Sequence, residues 1–204
     1  YAIEAVKRGM CSVGVVGRDA IILAVEDLSQ LIQKKSITKL QEPRTVKKIV
    51  QVDDHIWMAF SGLTADGRIL ANKARIECQS YRLNYDDAPP VVQRRLAVEY
   101  IAKYVGETKQ KYTQKGGVRP FGLSCLIAGF DLKGIQDCSP LILQVHHPNY
   151  LGSCSEWKAN SVGRNSKQVS EYLEKNYKEE CTRDDAMKLA TKALMDVVES
   201  GNKN

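Results

Sequence analysis

The feature that most constrains this fold is the order in which the chain changes its hydrophobic period: strand-like runs, two long helical stretches, strands again, then two more helices. Cys11 to Val16 and Ala20 to Val25 are apolar runs of strand length, and the Gly and Asp of Gly17-Arg18-Asp19 suit a tight hairpin between them. Val46 to Val52 and His55 to Ser61 make a second pair, with Asp53-Asp54 as a solvated turn. From Thr64 the apolar residues Ile69, Leu70, Ala74 and Ile76 recur at roughly helical spacing. Val92, Leu96, Tyr100, Ile101, Tyr104 and Val105 predict another long helix beyond a break near Asn84 to Pro90.

Strand character returns at Gly122 to Gly129, at Leu141 to His146 and in short pieces around Cys154 to Val162. A helix then starts with Ser166 as its N-cap and carries Val169, Tyr172, Leu173 and Tyr177. The last helix starts near Thr182, with Asp184 and Asp185 suited to the positive end of its dipole. Ala186, Leu189, Ala190, Ala193, Leu194, Val197 and Val198 form its apolar stripe, and Gly201 is placed as its stop. Runs of strands and helices segregated in this way predict α+β layers rather than alternating βαβ units.

At 204 residues the chain suits one domain spanning 1–204 with a sizeable core. No apolar run approaches the roughly 20 residues of a membrane-spanning helix, and Tyr1 to Arg8 has no signal-peptide core. No membrane partner is expected, and cytoplasm and nucleus are the expected location. The net charge of +6 is scattered among acids, and aromatics are only 7%, so a contiguous nucleic-acid face is not signalled.

Cys11, Cys78, Cys125, Cys138, Cys154 and Cys181 lack paired short spacings and read as reduced thiols. His55, His146 and His147 lack the spacing of a closed metal site, so neither metal nor cofactor is expected. Gly163-Arg164-Asn165-Ser166 reads as a turn into an N-cap rather than a phosphate loop.

Three segments resemble a known family. Tyr1-Ala2-Ile3-Glu4-Ala5-Val6-Lys7-Arg8-Gly9 is similar to the short helix that opens proteasome alpha subunits. Ser61-Gly62-Leu63-Thr64-Ala65-Asp66-Gly67-Arg68 resembles their strand-to-helix junction, and Tyr112-Thr113-Gln114 with Gly117-Val118-Arg119-Pro120-Phe121-Gly122 is the most specific match. Trp157 to Asn160 and Tyr172 to Tyr177 narrow the resemblance to one branch of the alpha family. Asp27 to Gln33, Asp86 to Arg95 and Ile135 to Leu141 look like insertions and are expected on surface loops.

The resemblance implies a four-layer α-β-β-α sandwich of two antiparallel sheets, the Ntn-hydrolase-like fold. It also implies a non-catalytic ring subunit of the 20S particle, partnered by other alpha subunits, beta subunits and regulatory particles. Residues ahead of Tyr1 would build the gate over the pore. In the related beta subunits an amino-terminal threonine attacks the peptide with its own amine as base; its position falls on Met10, which has no nucleophilic oxygen. The accompanying aspartate falls on Glu26, the lysine on Lys48 and the oxyanion-hole glycine on Gly62.

An active peptidase is the alternative, with Cys11 as nucleophile only after cleavage behind Met10; a buried packing cysteine is the simpler reading. The resemblance gives Lys48, Gly62 and Leu63 a different role, a pocket for the carboxyl-terminal tails of activators, against the plain reading of Lys48 as a strand lysine reaching solvent. Tyr1, Ile3 and Val6 of the opening helix, residues 1–9, would lie at the ring interface, joined by the helix from Thr64.

Overall fold

Strands β1 (Ser12–Val16) and β2 (Ile21–Val25) form an antiparallel hairpin in which Val13 pairs with Ala24 and Val16 with Ile21. The Gly17 N–H closes the turn by donating to the Ala20 carbonyl at 2.8 Å. The computed structural model describes residues 2–26, 47–84, 90–129, 141–145, 154–179 and 181–201.

A second sheet contains β3 (Ile49–Asp53), β4 (Ile56–Gly62), β5 (Leu123–Gly129), β6 (Leu141–Val145) and β7 (Cys154–Glu156), antiparallel in that order. Strand β8 (Ala159–Val162) returns to the first sheet and pairs with β1, giving the order β2-β1-β8. Five helices are described: α1 (Ala2–Arg8), α2 (Thr64–Asn84), α3 (Pro90–Gln114), α4 (Ser166–Asn176) and α5 (Arg183–Gly201).

Side-chain alternation along the strands decides what each face covers. Ile56, Met58 and Phe60 of β4, with Leu123, Cys125 and Ile127 of β5, share one core with Leu70 and Ala74 of α2 and Ile101 and Val105 of α3. Val13 and Val15 of β1 share the other with Val169 and Leu173 of α4 and Ala190, Ala193 and Val197 of α5. The opposite strand faces are also closed, since Ser12, Ser124 and Leu126 are fully buried. There β1 lies against β4 and β5, and Ser12 Oγ donates to the Phe60 carbonyl at 3.4 Å. Helices, sheet, sheet, helices is the expected α-β-β-α sandwich. Each large apolar side chain fully buried in these layers contributes on the order of 1.5–3 kcal/mol.

Local capping follows side-chain chemistry. Thr182 precedes α5, and its Oγ1 accepts the Asp185 N–H at 3.3 Å while donating to Asp185 Oδ2 at 2.9 Å. This satisfies a helix-start donor that has no intrahelical partner. Gly201 is the last residue of α5.

Several expectations change. Ser166 is the first residue of α4, and the N-cap is Asn165, in the left-handed region at φ 55° with no side-chain cap bond. Asn tolerates that conformation better than Ser. The Ser166 carbonyl instead accepts from Ser161 Oγ at 2.9 Å. Tyr177 is the extended C-cap, its N–H on the Leu173 carbonyl at 2.7 Å.

Asp53 does not lie in a solvated turn: it ends β3, is buried, and accepts from Arg82 Nη2 at 2.5 Å, while Asp54 is exposed. Ile69 and Ile76 point outward, 50% and 70% exposed, because α2 turns Leu70, Ala71, Ala74 and Cys78 to the sheet. The second half of the Asp86–Arg95 insertion is the start of α3, whose first residue Pro90 suits the helix start, where no amide hydrogen is needed. Val46, His146, His147, Asp27–Gln33 and residues 135–140 lie outside the described residues; Leu141 begins β6.

Candidate functional site

Four other chain segments meet the backbone where α1 delivers it into β1. Gly9, Met10 and Cys11 run between the end of β2, the entry to β3, the end of β4 and the turn before α4. The Cys11 N–H donates to Glu26 Oε2 at 3.1 Å, and the Glu26 N–H returns a bond to the Cys11 carbonyl at 2.8 Å. The other carboxylate oxygen takes Arg164 Nη2 at 2.6 Å, while the Arg164 N–H donates to the Gly9 carbonyl at 3.0 Å. Glu26 is 1% exposed at its side chain. A carboxylate so desolvated needs such partners.

Lys48 stands just before β3, at the same place. Its Nζ donates to the Glu26 carbonyl at 3.1 Å and contacts Met10 Sδ. Ser61 Oγ donates to the Met10 carbonyl at 2.5 Å. The structure therefore gathers Glu26, Lys48 and Gly62 around Met10, as the sequence comparison of positions implies. Their hydrogen bonds hold backbone in place: Glu26 is spent on Cys11 and Arg164, and the lysine amine rests against a thioether with no proton to lose.

Cys11 is the other nucleophile that the sequence offers. It is fully buried, and desolvation, with a smaller contribution from the Glu26 charge, pushes its thiol up to about 12, against a lowering by Arg164. A thiol with that value holds almost no thiolate at neutral pH.

Outside this knot an open cleft is lined by Arg8, Met10, Lys48, Ser61, Gly62 and Thr64 among others. Lys48 and Gly62 share it. Leu63 stands beside it, 45% exposed, next to Gly122. The sequence alone gives Arg8 no site role, because there it reads only as the charged face of a short helix. Its spacing from Glu4, with which it forms an exposed pair at 3.7 Å, gives no hint that it reaches the lysine's cleft. Arg164, a turn residue in the sequence, gains its role only from Glu26.

Of the opening helix, Tyr1 lies outside the described residues. Ile3 belongs to α1. Val6 is only 8% exposed, covered by this chain's own β4 and β5, so the outward residues of α1 include Glu4, Lys7 and Arg8. No group of histidine, cysteine or carboxylate residues able to hold a metal exists among the described residues.

A family model described as proteasome subunit matches residues 6–204 of this chain. Relatives are similar throughout. The proteasome subunit alpha type-7 of Dictyostelium discoideum is 48% identical over 204 residues, covering 100% of this chain and 73% of the relative. That of Cicer arietinum is 52% identical over 204 residues, covering 100% and 74%. The alpha type-8 subunit of Mus musculus is 48% identical over 206 residues, again covering 100% and 74%.

Proposed function

The chain belongs to the proteasome subunit family, on its alpha side, and from that membership we propose a non-catalytic role for it in the alpha ring of the 20S core particle. There it scaffolds a seven-membered ring with other alpha subunits, stacks on beta subunits, limits substrate entry and docks regulatory particles. The setting is ubiquitin-dependent protein degradation in cytoplasm and nucleus.

The observation that carries the non-catalytic reading is Met10. At the place where the related hydrolases carry a nucleophile, this chain puts a thioether against the Lys48 amine, and the Met10 nitrogen is an internal peptide nitrogen that cannot serve as base. The scaffold reading is supported by α2, where Ile69, Ile76 and Leu83 recur every seven residues and are 50%, 70% and 80% exposed. An apolar stripe of that kind, left in water, is the mark of a surface that another protein covers. The docking reading is supported by the cleft, in which Lys48 and Arg8 flank Gly62 and offer cationic donors to a terminal carboxylate.

The test is to express the full-length subunit, assemble core particles and analyse them by native mass spectrometry after exposure to a threonine-directed epoxyketone. The chain is expected within the particle and without added probe mass. Covalent labelling of this chain, or its exclusion from particles, refutes the proposal. In the same particles Lys48→Ala is expected to weaken a bound carboxyl-terminal tail by about 1.5–3 kcal/mol, the value of a hydrogen bond to a charged group.

A further inference from the structure

The wall of the cleft is set by a hydrogen-bond relay that starts outside it. Gly62 adopts φ +115°, with its Cα so close to β5 that an added Cβ would fall 2.3 Å from the Gly122 carbonyl oxygen. The same carbonyl accepts the Leu63 N–H at 3.0 Å, and the Leu63 carbonyl accepts the Gly67 N–H of the first turn of α2 at 3.2 Å. Gly122 is thus the strut behind the Gly62-Leu63 peptide.

That strut has a holder of its own. The Gly122 N–H donates to Asp66 Oδ2 at 3.0 Å, and both oxygens of Asp66 are gripped by the two terminal nitrogens of Arg119 at 2.6 Å. Asp66 is 3% exposed at its side chain and Arg119 64%, so the guanidinium closes the buried carboxylate off from solvent. The hydrogen bond from Arg119, helped by the Gly122 N–H, holds the Asp66 carboxyl below the usual carboxylate range. An added Cβ at Gly122 would sit 2.9 Å from Leu63 Cδ1 and 3.3 Å from Ala5 Cβ, so the same strut also seats α1, which brings Arg8 to the cleft.

From this relay we infer that Asp66 and Arg119 are positioning residues for carboxylate recognition in the cleft, acting through Gly122 on the Gly62-Leu63 peptide and on α1. The inference rests on the tail-docking reading above. A fork is required rather than a charge alone: a lysine at position 119 reaches one oxygen of Asp66, whereas arginine fixes both and so fixes the direction in which Oδ2 faces Gly122.

The experiment uses core particles assembled with the full-length subunit. The probe is a ten-residue peptide copying the carboxyl terminus of a regulatory-particle subunit and carrying a benzophenone. Crosslinking to this chain is read by mass spectrometry as a function of peptide concentration, which separates its cleft from those of its neighbours. Arg119→Ala is expected to raise the half-saturating concentration about tenfold at unchanged incorporation, and to speed hydrogen exchange at the Leu63 and Gly122 amides. Arg119→Lys recovers part of the affinity and Arg119→Met none. The amidated peptide binds parent and Arg119→Ala particles equally poorly.

Half-saturation of Arg119→Ala at the parent concentration overturns the positioning role, and so does recovery by methionine equal to that by lysine. Parent-like crosslinking in Lys48→Ala is a separate result, which overturns the docking reading underneath.

Discussion

Replacing Gly62 by alanine separates two costs that glycine avoids here, and two neighbouring glycines serve as controls. Gly116 has nothing within 4 Å of an added Cβ, and its φ is not positive. Gly116→Ala therefore acts only on the unfolded chain and is expected to stabilise by about 0.4–1 kcal/mol. Gly117 is equally open but sits at φ +79°, so Gly117→Ala adds a left-handed strain of about 1–2 kcal/mol and destabilises by roughly 1 kcal/mol net.

Gly62→Ala meets both that strain and a backbone carbonyl at 2.3 Å. The obstructing atom belongs to Gly122, which Asp66 holds in place, so it cannot swing aside like the end of a flexible side chain. Overpacking of that kind costs about 1–3 kcal/mol, giving roughly 2–4 kcal/mol in total. Urea unfolding of the purified full-length variants, with a common slope, ranks them through their midpoints. A Gly62→Ala midpoint no lower than that of Gly117→Ala would refute the argument, since it would mean that the β4–β5 contact yields freely.

Leu70→Ala, at a fully buried position, is expected to cost about 2–5 kcal/mol, whereas Ile76→Ala, 70% exposed, should stay within about 0.5 kcal/mol; equal losses in chemical unfolding would contradict the assigned face of α2. Asp66 has a lowered folded-state value, so its contribution is complete above the unfolded-chain value of about 3.9 and is lost as pH falls through the lower folded one. Arg119→Ala should therefore flatten the dependence of stability on pH below about pH 4, and an unchanged slope would count against the pair. Burial raises the Cys11 and Cys78 thiols to about 12; iodoacetamide at pH 8 should leave both unmodified until urea is added, and native labelling at the rate of a free cysteine would show that the sites open.

What the sequence determined by itself is local. The hairpin of β1 and β2 was legible because a Gly-Arg-Asp connection between two apolar runs leaves little else for the chain to do. The stripe of α5 was legible because Ala186, Ala190, Ala193 and Val197 repeat at helical spacing along an uninterrupted stretch, and all four are buried. Family motifs placed Glu26, Lys48 and Gly62 at one site, and they do converge on Met10.

Only the tertiary structure decided which way ambiguous faces turn and which charges meet. Ile69 and Leu70 are adjacent, and the helical period admits either as the inward residue; the packing of α2 on β3, β4 and β5 selected Leu70, with Ala71 and Ala74 beside it. Asp53 looked like a turn residue until Arg82, 29 residues later, returned along α2 to cover it. Arg164 reaches Glu26 across 138 residues and Arg119 reaches Asp66 across 53. Pairings at such separations depend on how sheets and helices stack, and periodicity carries no information about that because it reports only a residue's relation to its nearest turns.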